Sequence, residues 1–262
     1  MKTRGFTLVE LVMVIMVTGI IAGSLTIFLK PAIESYFDSR RRADLTDIAD
    51  TAVRRMSQDI RSAVPNSVRS VSATCFQLVP TIAGGRYRMA YDAATAGSAS
   101  VDTSTTTAAF DVLSPLSQLP VSGDWVVIDN QNGDEVYAGT NRGQILSVVS
   151  SATGQHRINL SPAKQFPMGY DLGRFVVVPN AEQTVTYSCV GGVLYRNTAA
   201  FGAADCTASG AKVATDVASC TFVYDPNHGA TQQSGFIWMR LELSRSGESV
   251  VLAHGVHVDN VP

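Results

Sequence analysis

Residues 1–30 read MKTRGFTLVELVMVIMVTGIIAGSLTIFLK, and the apolar run from Phe6 to Leu29 is broken by a single acid, Glu10. A carboxylate near the bilayer centre costs roughly 2.5–3.5 kcal/mol on insertion scales, so an acid retained in such a run calls for a partner. From Leu11 to Leu29 no charge occurs. As a helix that stretch is about 28 Å long, enough for the ~30 Å hydrocarbon layer. Lys2 and Arg4 precede the span and place the N-terminus in the cytoplasm, while Arg40, Arg41 and Arg42 beyond it argue the other way. The adjacent leader charges favour the N-in orientation. A cleaved secretory signal would have a shorter apolar core ending in a small-residue A-x-A site, and no such site closes this run.

The helical pattern continues past the span. Ile33, Phe37, Leu45, Ile48, Ala49, Ala52, Val53, Met56, Ile60 and Ala63 recur at offsets of three and four and form one apolar stripe. Asp44, Asp47, Arg54, Arg55, Asp59 and Arg61 lie opposite, as a solvated face. Pro31 is expected to bend the helix and Pro65 to end it. A helix from Phe6 to Val64 would be a rod of about 88 Å, with one end for lipid and the other for a globular core.

Beyond residue 65 the period becomes alternating. Strands are expected at residues 68–79, 86–91, 124–129, 144–149, 156–160, 174–178, 184–189, 192–196, 218–224, 236–243 and 249–258. Two hairpins stand out, one turning at Gly191-Gly192 and one at the SRSGES stretch near the C-terminus. Residues 93–109 are small and polar and read as a mobile loop, and 201–212 as an Ala- and Gly-rich loop held by Cys206. No internal repeat is visible. The class is therefore α+β: a long N-terminal helix packed on an antiparallel sheet domain.

Across 262 residues the formal net charge is −2 and the hydrophobic content 45%, with no basic excess to point to nucleic acid. Cys75, Cys189, Cys206 and Cys220 form no C-x-x-C pair and have no histidine at a metal-ligand offset, which disfavours zinc. An even count behind a membrane segment fits an oxidising compartment and two disulfides, with four reduced core thiols as the alternative. Three pairings are open; the shorter loop favours Cys189–Cys206, leaving Cys75 with Cys220.

The sequence contains no nucleophile elbow, phosphate loop, dinucleotide fingerprint or zincin motif, so no catalytic residue, metal or cofactor is expected. His254 and His257 point to opposite faces of one strand, and His254 shares its face with Leu252 and Val256, as a core histidine would. The run from Asp129 to Glu135 has the oxygen density of a calcium loop without the EF-hand spacing and reads as a solvated turn. Gly84-Gly85-Arg86-Tyr87-Arg88 reads as a glycine turn opening a hairpin, with anion binding as the alternative.

The short basic leader followed by Gly5-Phe6-Thr7-Leu8-Val9-Glu10 and an apolar helix resembles the processing signal of type IV pilins and type II secretion pseudopilins. The resemblance implies cleavage by prepilin peptidase after Gly5, N-methylation of Phe6 and an assembly role for Glu10. An acid displaced along the helix could pair with the Phe6 amine of a staggered neighbour, so that two costly buried charges neutralise each other. It also implies a division into a leader (1–5), a transmembrane assembly segment (6–30), an amphipathic helix (31–64) and a β-rich periplasmic domain (65–262). GGRYR, the GRFVVVP strand, the Y-x-C…LYR hairpin and the ending GESVVLAHGVHVDNVP resemble minor pilins of the mannose-sensitive haemagglutinin (MSHA) pilus. The partners implied are other minor and major pilins, prepilin peptidase, the inner membrane, the assembly platform and, through it, the assembly ATPase. A J-type pseudopilin and an adhesin-like tip module, using residues 93–109 or the GGRYR segment, are the rival functions.

Overall fold

The computed structural model describes residues 5–167, 173–228 and 234–259. Helix α1 (Leu8–Arg61) runs unbroken for 54 residues with Pro31 inside it, so it is about 81 Å long. Its start is set by Thr7, an extended residue in the N-cap position, and its end by Ser62, whose N–H returns to the Gln58 carbonyl at 3.1 Å. The strands follow as β1 (Arg69–Ser72), β2 (Cys75–Leu78), β3 (Ala83–Arg86), β4 (Thr107–Val112) and β5 (Trp125–Val127). A short helix α2 (Glu135–Ala138) precedes β6 (Arg142–Ser150), β7 (His156–Lys164) and β8 (Arg174–Val178). The chain ends through β9 (Thr184–Val190), β10 (Val193–Ala199), β11 (Ala211–Ala214), β12 (Val217–His228), β13 (Ser234–Arg245) and β14 (Glu248–Asp259). The expected α+β class is therefore what the structure shows, a long N-terminal helix followed by antiparallel sheets, consistent with a type IV pilin fold.

Two layers embrace the C-terminal part of α1. One is a five-stranded sheet in the order β1-β2-β9-β10-β11; the other is a three-stranded sheet, β12-β13-β14. Leu45, Ala49, Ala52, Val53, Met56 and Ile60 of the helix meet Phe76, Tyr187, Phe222, Ile237, Met239 and Leu241 in one core. Phe76 anchors it, stacked on Tyr187 at 5.2 Å and edge-on to Phe222 at 4.9 Å. The stripe read from the sequence starts at Ile33, but burial starts at Leu45: Ile33 and Phe37 stay 52% and 49% exposed. The sheets reach only the last third of the rod. Both hairpins form, with Gly191 and Gly192, and likewise Ser246 and Gly247, at positive φ in two-residue turns.

Between the adjacent strands β2 and β9 the chain makes a separate excursion. Its six strands lie in the order β3-β8-β5-β6-β7-β4, all antiparallel. The two ends of that sheet meet: Tyr87 bridges Val112, Arg88 N–H donates to the Asp111 carbonyl at 3.0 Å and Leu113 N–H to the Arg86 carbonyl at 2.8 Å. The result is a closed barrel filled by Phe110, Val126, Ile145, Ile158, Phe175 and Val177. Its outer wall docks beside the end of α1, where Val64 packs with Val79, Val127, Val136, Tyr137 and Val178.

Several local expectations change. The strand expected at 68–79 is two strands joined by a tight turn, and β4 and β11 escape the alternation rule because alanine and threonine carry little pattern. Gly84 and Gly85 sit within β3 rather than in a turn. A Cβ on Gly85 would lie 2.7 Å from Ser114 Oγ and 3.1 Å from the Phe175 ring, so glycine is required for close approach. The 93–109 segment is pinned. Arg157 donates to the Gly97 carbonyl at 2.6 Å, Ala99 N–H to Asp111 at 3.0 Å, and Val101 is buried.

Candidate processing and assembly site

Thr7-Leu8-Val9-Glu10 has the T-x-x-E spacing of a capping box. In the structure Thr7 Oγ1 accepts the Glu10 N–H at 3.3 Å, and the Thr7 carbonyl accepts Leu11 N–H at 3.2 Å. Thr7 is the residue that sequence reasoning missed, although its signature was in plain view. The cap places Glu10 in the first turn, where a carboxylate complements the exposed N–H groups and the positive end of the helix dipole. Gly5 and Phe6 lie just outside the helix, with Phe6 74% exposed. The Glu10 side chain makes no hydrogen bond or ion pair among the described residues. Lys2 and Arg4 lie outside the described residues.

The helix that follows is long and apolar enough to cross a membrane, and none of its most apolar stretch is buried. Its few hydroxyls are satisfied locally, Thr18 on the Val14 carbonyl, Ser24 on Ile20 at 2.8 Å and Thr26 on Ala22 at 2.9 Å. Such bonds remove the penalty of a bare polar group in lipid. Gly19 and Gly23 meet nothing within 4 Å.

At its other end the rod is locked to the five-stranded sheet by a carboxylate. Asp59, expected on the solvated face, is only 8% exposed. It accepts from Tyr187 Oη at 2.7 Å and from Arg196 Nε at 2.8 Å, while Arg196 also grips Glu182 at 2.9 and 3.2 Å. Burial, with Asp59 beside it, raises the Tyr187 pKa. Burial opposes the Arg196 charge, but its bonds to Glu182 and Asp59 outweigh this and raise its pKa. The Arg196 bond lowers that of Glu182. The sheet partners sit more than 120 residues downstream, so helical periodicity alone could not reveal this joint.

The four cysteines form two disulfides, but not the favoured pairs. Cys75 joins Cys206, and Cys189 joins Cys220. The register explains the correction. Cys75 lies opposite Ser188, so it shares that residue's face of the sheet and points away from Cys189. Ser188 donates to the Thr207 carbonyl at 3.1 Å, which places the 201–210 loop on the same face as Cys75. Cys189 points instead to β12 and Cys220.

The remaining candidates are structural. Asn130 of the acidic turn donates to the Pro65 carbonyl at 2.6 Å and accepts from Val136 N–H and Asn141. Glu135 accepts from Gln131 N–H, Asn132 N–H and the Asn132 amide. The run read as a solvated turn instead buries Asp129 and Asn130 and ties barrel to rod, assisted by Tyr137 Oη on the Ser67 carbonyl at 2.8 Å and Arg69 over the Tyr137 ring at 3.7 Å. His254 is not a core residue: it is half-buried on the flank of α1.

Residues 1–26 match the family model described as the prokaryotic N-terminal methylation motif. No curated protein and no solved structure matches the chain. The motif, at the start of a helix whose apolar part is left exposed by the described residues, supports a protein of the type IV pilin or pseudopilin kind.

Proposed function

We propose that this chain is a minor, MshO-like pilin of an MSHA-like type IV pilus, acting in assembly initiation or at the fibre tip. Prepilin peptidase removes residues 1–5, Phe6 is N-methylated, and the mature chain waits in the inner membrane with its N-terminus cytoplasmic and its β-rich domain periplasmic. Extraction into the fibre then brings it against other minor and major pilins through the assembly platform, driven indirectly by the assembly ATPase. The observation that carries the reading is Glu10, without a side-chain partner among the described residues, held by the Thr7 cap in the first turn of an exposed apolar helix shortly after Gly5-Phe6. The freed Phe6 amine of a staggered neighbour is the cation that processing creates, and pairing with it would neutralise both buried charges.

The barrel docks at the end of α1 farthest from the membrane segment, which suits a subunit that ends a fibre rather than one repeated along it. Processing and assembly are tested separately. Gly5→Leu should leave an uncleaved precursor on an immunoblot, and normal maturation would sink the peptidase assignment. Glu10→Ala should mature normally yet reduce surface piliation; piliation at the level of the unaltered chain would remove the charge-pairing account.

A further inference from the structure

Every sheet edge but one is closed or blunted among the described residues. The barrel has no open edge. In the five-stranded sheet the outer strands β1 and β11 are four residues long and each is bulged. The β12 edge of the three-stranded sheet is covered by bonds from Phe222 N–H to the Ala73 carbonyl at 2.7 Å and from Val217 N–H to the Gly192 carbonyl at 2.9 Å. Strand β14 differs: it pairs with β13 over twelve positions without a register shift, and no strand lies on its other side.

The Ser246-Gly247 turn closes on the Arg245–Glu248 pair, so alternate residues from Glu248 onward direct their backbone groups to β13. Ser249, Val251, Ala253 and Gly255 therefore direct theirs outward. Edge strands in natural proteins are commonly guarded by lysine, proline or a bulge, and this edge has none of them. Ala253 carries only a methyl group at the centre of the edge, and the space beside Gly255 is filled by the Phe236 ring of β13.

A groove of about 660 Å³ runs along the helix beside this edge, lined by Asp50, Arg54, Gln58 and Arg61, and His254 is the residue through which β14 reaches it. Arg54 is occupied by Asp50 at 2.6 Å, whereas Arg61 makes no ion pair among the described residues. The groove thus offers one free guanidinium and an imidazole to whatever lies in it. We propose that the outer edge of β14 takes up an extended strand of another polypeptide, one that turns a carboxylate toward Arg61 and His254. Backbone bonds to residues 249–255 supply the affinity, and the charge selects the strand. The assignment stands on sheet geometry and is independent of the fibre reading.

The test uses the full chain in detergent micelles and a synthetic nonapeptide of alternating valine and threonine with a central glutamate. Amide hydrogen exchange is read residue by residue. In the free chain the amides of Ser249, Val251, Ala253 and Gly255 should exchange far faster than those of Leu252, His254 and Val256. The glutamate peptide should slow the four outward amides by about tenfold or more, equivalent to about 1.4 kcal/mol, and a lysine version should not. Ala253→Pro removes an outward N–H without touching a ladder bond; it should abolish the effect with the circular dichroism unchanged. Arg61→Glu should reverse the preference between the two peptides. The proposal is overturned if neither peptide slows exchange or if both do so equally. Protection in the free chain that grows with its concentration would overturn it too, since a second copy would then hold the edge.

Discussion

The helix-bearing lobe is tied by two disulfides, one between its two sheets and one from a sheet to a loop, whereas the barrel contains no cysteine and closes its sheet on itself. Its two sheets do not join into one continuous ladder, and one side of α1 stays exposed between them. Cys189–Cys220 ties those two sheets together. Cys75–Cys206 ties β2 to the 201–210 loop on the far side of the point where the barrel leaves the chain. The barrel has its backbone groups paired around its circumference and holds a buried ion cluster at Asp111. Asp111 there is fully buried, held by Arg157 at 2.8 Å and Thr153 at 2.6 Å, with Arg88 at 3.4 Å. Where a sheet is closed, a buried ion cluster can anchor the outer loop; where it is open, cross-links limit the unfolded chain instead.

This contrast can be broken most forcefully at the cysteines. Replacing Cys75 and Cys206 by alanine frees a loop with a sequence separation of 131 and should cost the helix-bearing lobe up to about 5 kcal/mol on the chain-entropy account. Residue-resolved exchange should show protection lost around α1 and β9 but kept in β5–β8. Equal loss in both lobes would mean that they are not separately stabilised. Asp111→Ala should act in the opposite sense. It leaves Arg157 without its acid and Arg88 with only Asp92 at 3.8 Å, and should cost the barrel about 3–5 kcal/mol, read as an earlier barrel transition on thermal unfolding.

Acid provides a gentler probe of the same cluster. Burial pushes the Asp111 carboxyl up, but the Thr153, Ala99 and Arg157 bonds prevail and hold it at about 2, below its ordinary 3.8. A carboxylate depressed on folding stabilises above its unfolded pKa, so the contribution, about 2 kcal/mol, is complete above pH 4 and lost as pH falls toward 2. Barrel amides should lose protection over that interval, and an Asp111→Asn chain should show none of this increment. The smallest effect is expected at the free end of the rod. Thr7→Ala should cost about 1 kcal/mol of local helix stability, visible as faster exchange at Glu10 with both lobes unchanged.

Much of the helix was legible because its determinants are local. The amphipathic stripe named Leu45, Ala49, Ala52, Val53, Met56 and Ile60 correctly, and Pro65 marked the region where the rod stops. β8 fell at residues 174–178 as read, since its apolar run is bounded by glycine and proline. Asp59 was misplaced because its partners Tyr187 and Arg196 arrive from distant strands. The cysteine pairing was misread because loop length says nothing about which face of a strand a side chain occupies. Barrel closure was invisible because β4 owes its place to β7 and Tyr87, not to its own composition.

The sequence by itself determined the Gly5-Phe6-Thr7…Glu10 motif, the span behind it and the alternating strands that follow. Each of these depends on residues within a few turns or a few positions of one another. Only the tertiary structure decided which cysteines meet, which acids are buried and which sheet edge stays open at β14. Those outcomes are set by neighbours that the chain brings together from more than thirty residues apart, through strand register and the closure of one sheet but not the others.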